Sequence, residues 1–237
     1  MRTAVALDLE FDGDTLLCAA TSWSDGTLNL TQSWVSHSSS GYENLQPALI
    51  QALIHQLWIY HLQGIVLVTW GGTSSDWPKL YLHATEEYKP RVKEMALASV
   101  DIPLISAAAN GMMMSLTSTA MGMGLGARPA CDSEDVPRLW NSGEVTKQHD
   151  VVKHVNWDAW ACAALWDKLY SSCQFSRPAL SWVTKRSGVR AVRLHRKGNP
   201  GEYTLPCVKD ILDWAPPETV FVVPDYLRAE NLTAWLR

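Results

Sequence analysis

The chain is predicted to fold as an α/β protein. The expected sheet is mixed, a three-strand antiparallel meander plus parallel strands, flanked by helices and followed by a small C-terminal appendage. Two observations predict it. Up to Val35 the sequence shows short apolar or alternating runs separated by the turn signals Asp12-Gly-Asp14 and Ser24-Asp-Gly26. Beyond Val35 the pattern changes to a helical period, then a continuous apolar run, then more helical periods, which is the order of strands buried between helices. With 237 residues, 47% of them apolar and 19% charged, a sizeable core is available and global disorder is excluded.

The first strand is Thr3-Ala-Val-Ala-Leu-Asp-Leu-Glu-Phe-Asp12. The second spans Leu16 to Trp23 and the third Leu28 to Val35, with a polar loop from Ser36 to Gly41. A helix is predicted over Asn44 to Leu62, where Leu45, Leu49, Ala52, Leu53, Leu57 and Tyr60 share a face, and Gly64 ends it. Ile65 to Trp70 reads as a strand buried on both faces. Gly71-Gly72 breaks it, and a helix begins near Ser75 with Pro78 in its first turn. Lys89 to Ala109 reads as a helix followed by an extended piece at Ile102 to Ile105, interrupted by Pro103. A short helix is expected over Ser115 to Met121, a helical turn over Val136 to Trp140, and a long helix from about Val145 to Ser171. The division expected is a main domain over 1–175 and a C-terminal extension over 176–237 packed on or near it. Strands in the extension are predicted near Val189 to His195 and Tyr203 to Leu205.

Charge and cysteine content narrow the chemistry. A net charge of −4 gives no global attraction to nucleic acid, so such binding needs a local basic patch or metal ions. The five cysteines are scattered with no Cys-x-x-Cys pair, which disfavours zinc and a disulfide framework and fits reduced thiols. Met1-Arg-Thr3 leads straight into the acidic strand, unlike a signal peptide, and no apolar run reaches the roughly 18 residues of a membrane span. A cytoplasmic, intracellular location is expected. Gly122, Gly124 and Gly126 form Gly-x-Gly-x-Gly, but they follow a helix and lack a Walker lysine, so they are not read as a phosphate loop.

Strand alternation places Val5, Leu7, Leu9 and Phe11 on one face of the first strand and Ala4, Ala6, Asp8 and Glu10 on the other. Two carboxylates beside small alanines need a cation or hydrogen-bond donors, and oxygen ligands suit Mg²⁺ or Mn²⁺. The alternative is a solvated start of a loop. Asp76, after the apolar strand and its glycine turn, is either a site acid or an ordinary helix-start residue. On the long helix His154 and Asp158 share a face, being four apart, and Asp150 joins them. The small apolar segment Ala159 to Leu165 follows, so Asp158 borders a buried region; a solvated helix face is the alternative.

Three strands, a helix, a strand and then helices is the order of a ribonuclease H-like sheet. Taken together, Asp8-Leu-Glu10 on the first strand, Trp70-Gly-Gly-Thr-Ser-Ser-Asp76-Trp after the fourth and His154-x-x-x-Asp158 on a late helix resemble the motifs of the DEDD superfamily of 3′–5′ exonucleases. The stretches Ser115 to Leu125, Val136-Pro-Arg-Leu-Trp140 and Trp182 to Gly188 look like a branch related to the exonuclease domain of family B polymerases. The resemblance covers roughly residues 1–172. One departure stands out: His154 sits at the spacing where the family usually carries Tyr.

The resemblance implies two divalent ions, Mg²⁺ or Mn²⁺, about 3.5–4 Å apart, binding the attacking and leaving oxygens of an in-line displacement. It implies that Asp8 bridges both, that Glu10 and Asp158 lie on one, and that Asp76 acts on the other mostly through water. His154 would position or deprotonate the water; apart from the resemblance, Asp150, a further turn back on the same helix face, is a candidate to orient its ring. The substrate would be a single-stranded or frayed 3′ end of DNA or RNA. Trp77 and Trp157 are candidates to stack bases, with core packing as their alternative role. Lys79 and the cluster Lys185, Arg186, Arg190, Arg193, Arg196 and Lys197 are candidates for backbone phosphates. With no polymerase palm or helicase segment visible, a polymerase or replication partner would act in trans. A catalytically inactive nucleic-acid or protein binding module and an unrelated hydrolase of small phosphoesters are the competing classes.

Overall fold

In the computed structural model, residues 3–110, 114–128, 131–172, 179–184, 190–195, 205, 207–214 and 235–236 are described. Strands β1 (Ala4–Asp12), β2 (Thr15–Ser24) and β3 (Asn29–Trp34) form the antiparallel meander. A minor hairpin, β4 (Ser36–Ser38) with β5 (Gly41–Glu43), leads to helix α1 (Pro47–Leu62). Strand β6 (Val66–Thr69) then pairs parallel to β1. Helices α2 (Asp76–His83) and α3 (Lys89–Ala98) precede β7 (Val100–Asp101), which pairs parallel to β6. The result is a five-stranded mixed sheet in the order β3-β2-β1-β6-β7, flanked by helices. Next come α4 (Ile102–Asn110), α5 (Leu116–Gly122), a 3₁₀ turn at Ser133–Asp135, α6 (Val136–Asn141) and the long α7 (Val145–Ser172). A second hairpin, β8 (Ala179–Thr184) with β9 (Arg190–His195), and α8 (Val208–Trp214) complete the described elements.

The alternation in β1 decides which helices lie on which face. Val5, Leu7 and Leu9 pack with Leu53, Ile54 and Leu57 of α1, Trp77 and Leu80 of α2, and Val92 and Met95 of α3. Ala4 and Ala6 face the other way, into a core with Ala161, Cys162 and Leu165 of α7. The next turns of α7 back, Val151, Val155 and Ala159, pack on Leu17, Cys18 and Ala20 of β2. Small residues on both sides let the α7 backbone approach the sheet closely, which is what brings its polar face over the end of β1. The described residues of the C-terminal part join this core: Leu205, Val208 and Ile211 are buried with the β1 alanines, and the Val208 amide donates to the Ser99 carbonyl at 2.8 Å.

Three expectations are corrected. The helix predicted from Asn44 starts at Pro47, because proline fixes the first helical φ, and the loop predicted over Ser36 to Gly41 instead begins with a strand, Ser36–Ser38, that pairs with Gly41–Glu43. Ile102 to Ile105 is helical, not extended. Pro103 sits in the first turn of α4, where a missing N–H is tolerated, and the extended piece is Val100–Asp101 just before it. Leu205 lies in no strand, while Tyr203 and Thr204 fall outside the described residues.

The β6–α2 connection is sterically tight at Gly72. A Cβ there would lie 2.5 Å from Cβ of Thr69, a side chain with no solvent exposure. Gly72→Ala should therefore destabilise the fold by about 1–3 kcal/mol, the usual cost of forcing atoms into a packed region, measured by urea unfolding.

Candidate active site

The end of β1 carries the first two acids. Between Glu10 and Phe11 the pairing with β2 slips by one residue, a bulge that strengthens the local twist where the carboxylates project. Asp8 Oδ2 is buried and has no hydrogen-bond partner. Parallel pairing of β1 with β6 sets the neighbouring chain reversal, Gly71 to Ser75, beside them. Gly71 takes φ +79°, a left-handed conformation suited to glycine. Asp101, at the end of β7, holds this turn. Its two carboxylate oxygens accept the Gly71 and Thr73 amides, each at 2.9 Å. Asp76 follows in the first turn of α2. Its carboxylate does not cap that helix: Oδ1 accepts the Leu9 amide at 2.9 Å and Oδ2 the Ser75 hydroxyl at 2.9 Å. Leu9 lies between Asp8 and Glu10, so one hydrogen bond ties the acid of α2 to the acidic end of β1.

Helix α7 brings His154 and Asp158 over the same place. His154 has no solvent exposure, and its Nδ1 lies 2.9 Å from the Cys131 carbonyl. A carbonyl only accepts, so Nδ1 carries the proton and Nε2 faces Glu10 Oε1 at 3.2 Å and Asp158 Oδ2 at 3.6 Å. Asp150 was expected to orient the ring; it pairs with Lys153 at 3.1 Å, and the Cys131 carbonyl takes the imidazole. Asp158 is also gripped by Arg128, whose Nε donates to Oδ1 at 2.8 Å and whose terminal nitrogen donates to Oδ2 at 2.5 Å. The guanidinium lies 5.8 Å from the Trp157 ring centroid, a cation–π arrangement.

An open cleft of about 590 Å³ is lined by Asp8, Glu10, Asp76, Asp158, Arg128 and Trp70, among others. His154 lies behind its wall. The electrostatics are those of crowded anions. Burial, and then the charges of Asp158, Glu10 and Asp76, push the Asp8 carboxyl well above the usual range. Burial raises Asp76 to about 7 against the opposing hydrogen bonds from Ser75 and Leu9. Burial also raises Asp158 to about 6, against the pull of His154 and Arg128. For His154, burial opposes the imidazolium, but the hydrogen bond and charge of Glu10, with Asp158, outweigh it and the pKa rises. An orphaned buried carboxylate oxygen amid mutually repelling acids is a donor set that fits divalent cations.

Trp77 and Lys79 do not reach the cleft. Trp77 is fully buried among the side chains of α1 and α3, with no face to offer a base. Lys79 bonds the Gly13 carbonyl at 2.6 Å and the Asp14 carboxylate at 2.7 Å, fastening the β1–β2 turn. Trp157 is partly exposed beside Arg128. In the basic cluster, Lys185, Arg186, Arg196 and Lys197 fall outside the described residues, and only the backbone of Arg190 and Arg193 is described. Arg128 and Asp101 went unnoticed in the sequence. Arg128 follows a glycine-rich stretch with no periodicity, and Asp101 is a single acid inside the apolar run Ser99–Ile105.

No protein-family profile matches the chain, and no curated protein matches it. Among the described residues no helix is long and apolar enough to cross a membrane.

Raised carboxyl pKa values have a definite sign in stability. A group that binds its proton more tightly when folded stabilises the fold below its unfolded pKa, about 3.9 for Asp, and that stability is lost as pH rises through the folded value. Metal-free protein should thus lose thermal stability from about pH 4 upward, through the folded values of about 6 for Asp158 and about 7 for Asp76. Thermal melts across this range should show Asp8→Asn flattening the loss, and millimolar Mg²⁺ or Mn²⁺ restoring Tm at pH 7 but not at pH 4. The Asp101 clamp generates a second expectation. Asp101→Ala leaves the buried Thr73 amide and the half-buried Gly71 amide unpaired and should cost about 1–3 kcal/mol, read by chemical unfolding.

Proposed function

We propose that this chain is a metal-dependent 3′–5′ exonuclease of the DEDD type on a ribonuclease H-like fold, hydrolysing phosphodiesters at single-stranded or frayed 3′ ends of DNA or RNA. The observation that carries this reading is the convergence of Asp8, Glu10, Asp76 and Asp158 on one open cleft, from β1, α2 and α7, segments far apart in the chain. Open access matters, because a polymer end must enter and a mononucleotide must leave; a closed pocket would favour small phosphoesters.

Divalent cations, Mg²⁺ or Mn²⁺, held by Asp8, Glu10, Asp76 and Asp158 would supply Lewis-acid stabilisation of developing phosphoryl charge and an acidified water. The protein's own groups do the rest. Asp76 is positioned by the Leu9 amide and by the turn that Asp101 clamps. Arg128 is the cationic side chain on the described wall of the cleft and can receive a phosphate oxygen when it leaves Asp158. Trp157 and Trp70 offer partly exposed rings near the acids for base stacking. A second reading, a catalytically inactive module, draws on the position of His154: with no exposure and its Nδ1 tied to the Cys131 carbonyl, it is poorly placed to activate a water in the cleft.

The deciding assay is degradation of 5′-labelled single-stranded DNA and RNA with Mg²⁺, Mn²⁺ or EDTA. The expected result is a metal-dependent ladder shortening from the 3′ end. Asp8→Asn should slow it on the order of a thousandfold, the rate equivalent of about 4 kcal/mol. Intact oligonucleotides with binding retained would instead establish the inactive module.

A further inference from the structure

We propose that His154 is itself a metal ligand, completing with Glu10 and Asp158 a site of two carboxylates and one imidazole that selects Mn²⁺ over Mg²⁺. This deepens the exonuclease reading and rests on it for the view that these acids hold metal. It adds a donor and a metal preference.

Three observations carry the inference. One donor atom from each of Glu10, His154 and Asp158 lies within 4.8 Å of the others. The Nε2 separations from Glu10 Oε1, 3.2 Å, and from Asp158 Oδ2, 3.6 Å, are near the roughly 3 Å between adjacent ligands of one octahedral ion. The third observation lies on the far side of the ring. Nδ1–H donates to the Cys131 carbonyl, which fixes the tautomer and turns the Nε2 lone pair toward the two carboxylates. Metal-ligating histidines are held in this way, their other nitrogen tied to a carbonyl or carboxylate. A neutral Nε2 lone pair aimed at two carboxylate oxygens is repulsive on its own; the Ser133 hydroxyl, 3.4 Å from Nε2, can donate to it, and a cation between the three donor atoms relieves the repulsion of the carboxylates as well. The Arg128 guanidinium does not exclude that cation. It uses one lone pair on each Asp158 oxygen, and an ionised carboxylate oxygen has a second.

The choice of metal follows from the nitrogen. Mg²⁺ takes oxygen ligands and retains its waters, whereas imidazole nitrogen suits first-row transition ions. The site is then biased toward Mn²⁺ by the residue that departs from the tyrosine of the related exonucleases.

The test uses the chain of residues 1–237 and the metal alone. Electron spin echo modulation of bound Mn²⁺ should show coupling to a directly ligated imidazole nitrogen, changing in the expected way when histidine is ¹⁵N-labelled. His154→Gln should abolish that coupling, weaken Mn²⁺ binding about tenfold or more, and leave Mg²⁺ binding within about threefold. Should circular dichroism show that His154→Gln does not fold, Glu10→Ala decides, because removing a ligand of the same ion should also weaken Mn²⁺ and reduce the coupling. Bound Mn²⁺ without nitrogen coupling, coupling that survives His154→Gln, or unchanged binding in Glu10→Ala each overturns the proposal. The oligonucleotide assay separates the two readings. Degradation without nitrogen coupling removes the histidine ligand and keeps the exonuclease; nitrogen coupling without degradation keeps the site and removes the exonuclease.

Discussion

Like charges taken out of water repel strongly, and the chain gathers several of them at the end of one strand. Asp8, Glu10, Asp76 and Asp158 meet where β1 leaves the core, and three of the four are held above their ordinary pKa by burial and, for Asp8, by one another. Such an arrangement persists only where the surrounding fold over-determines it. Here the surroundings are an apolar strand paired on both sides, a long helix pressed on it through small residues, and a clamped turn beside it.

The four acids are carried by three elements, β1, α2 and α7, and the connections that hold them are short-range hydrogen bonds of definite direction. The Leu9 amide reaches Asp76, the Gly71 and Thr73 amides reach Asp101, and the Cys131 carbonyl receives His154. Asp101 is buried and acts at one remove, holding the loop that sets the start of α2. Alanines in β1 and α7 have a comparable role in packing. Larger side chains at Ala4, Ala6, Ala159 or Ala161 would lift the helix off the sheet and carry His154 and Asp158 away from Glu10.

Positive charge is the scarce quantity at this site. Arg128 supplies one bidentate pair to Asp158, and His154 offers either a proton or a lone pair toward Glu10. Neither reaches the orphaned Oδ2 of Asp8. Among the described residues the cleft gathers more carboxyl groups than cationic side chains, so whatever binds there must offset their mutual repulsion.

Much of this was legible in the sequence. The alternation of β1 alone separates its apolar face from Asp8 and Glu10, because side chains on a strand point to opposite faces whatever surrounds it. The four-residue spacing of His154 and Asp158 puts them on one helix face by the same local logic. The tertiary structure decided what depends on contacts between distant segments. Asp76 and Trp77 are adjacent in sequence and alike in hydropathic context, yet one turns to the Leu9 amide and the other into the core, because α2 lies with that edge on β1. Arg128 and Asp101 carry no periodic signal, and their partners lie 30 and 28–30 residues away. The setting of His154, without solvent exposure and with Nδ1 tied to the Cys131 carbonyl, also arises only when the segment at Cys131 folds over α7. Local pattern fixes which way a side chain points from its own element; only packing fixes what it meets there.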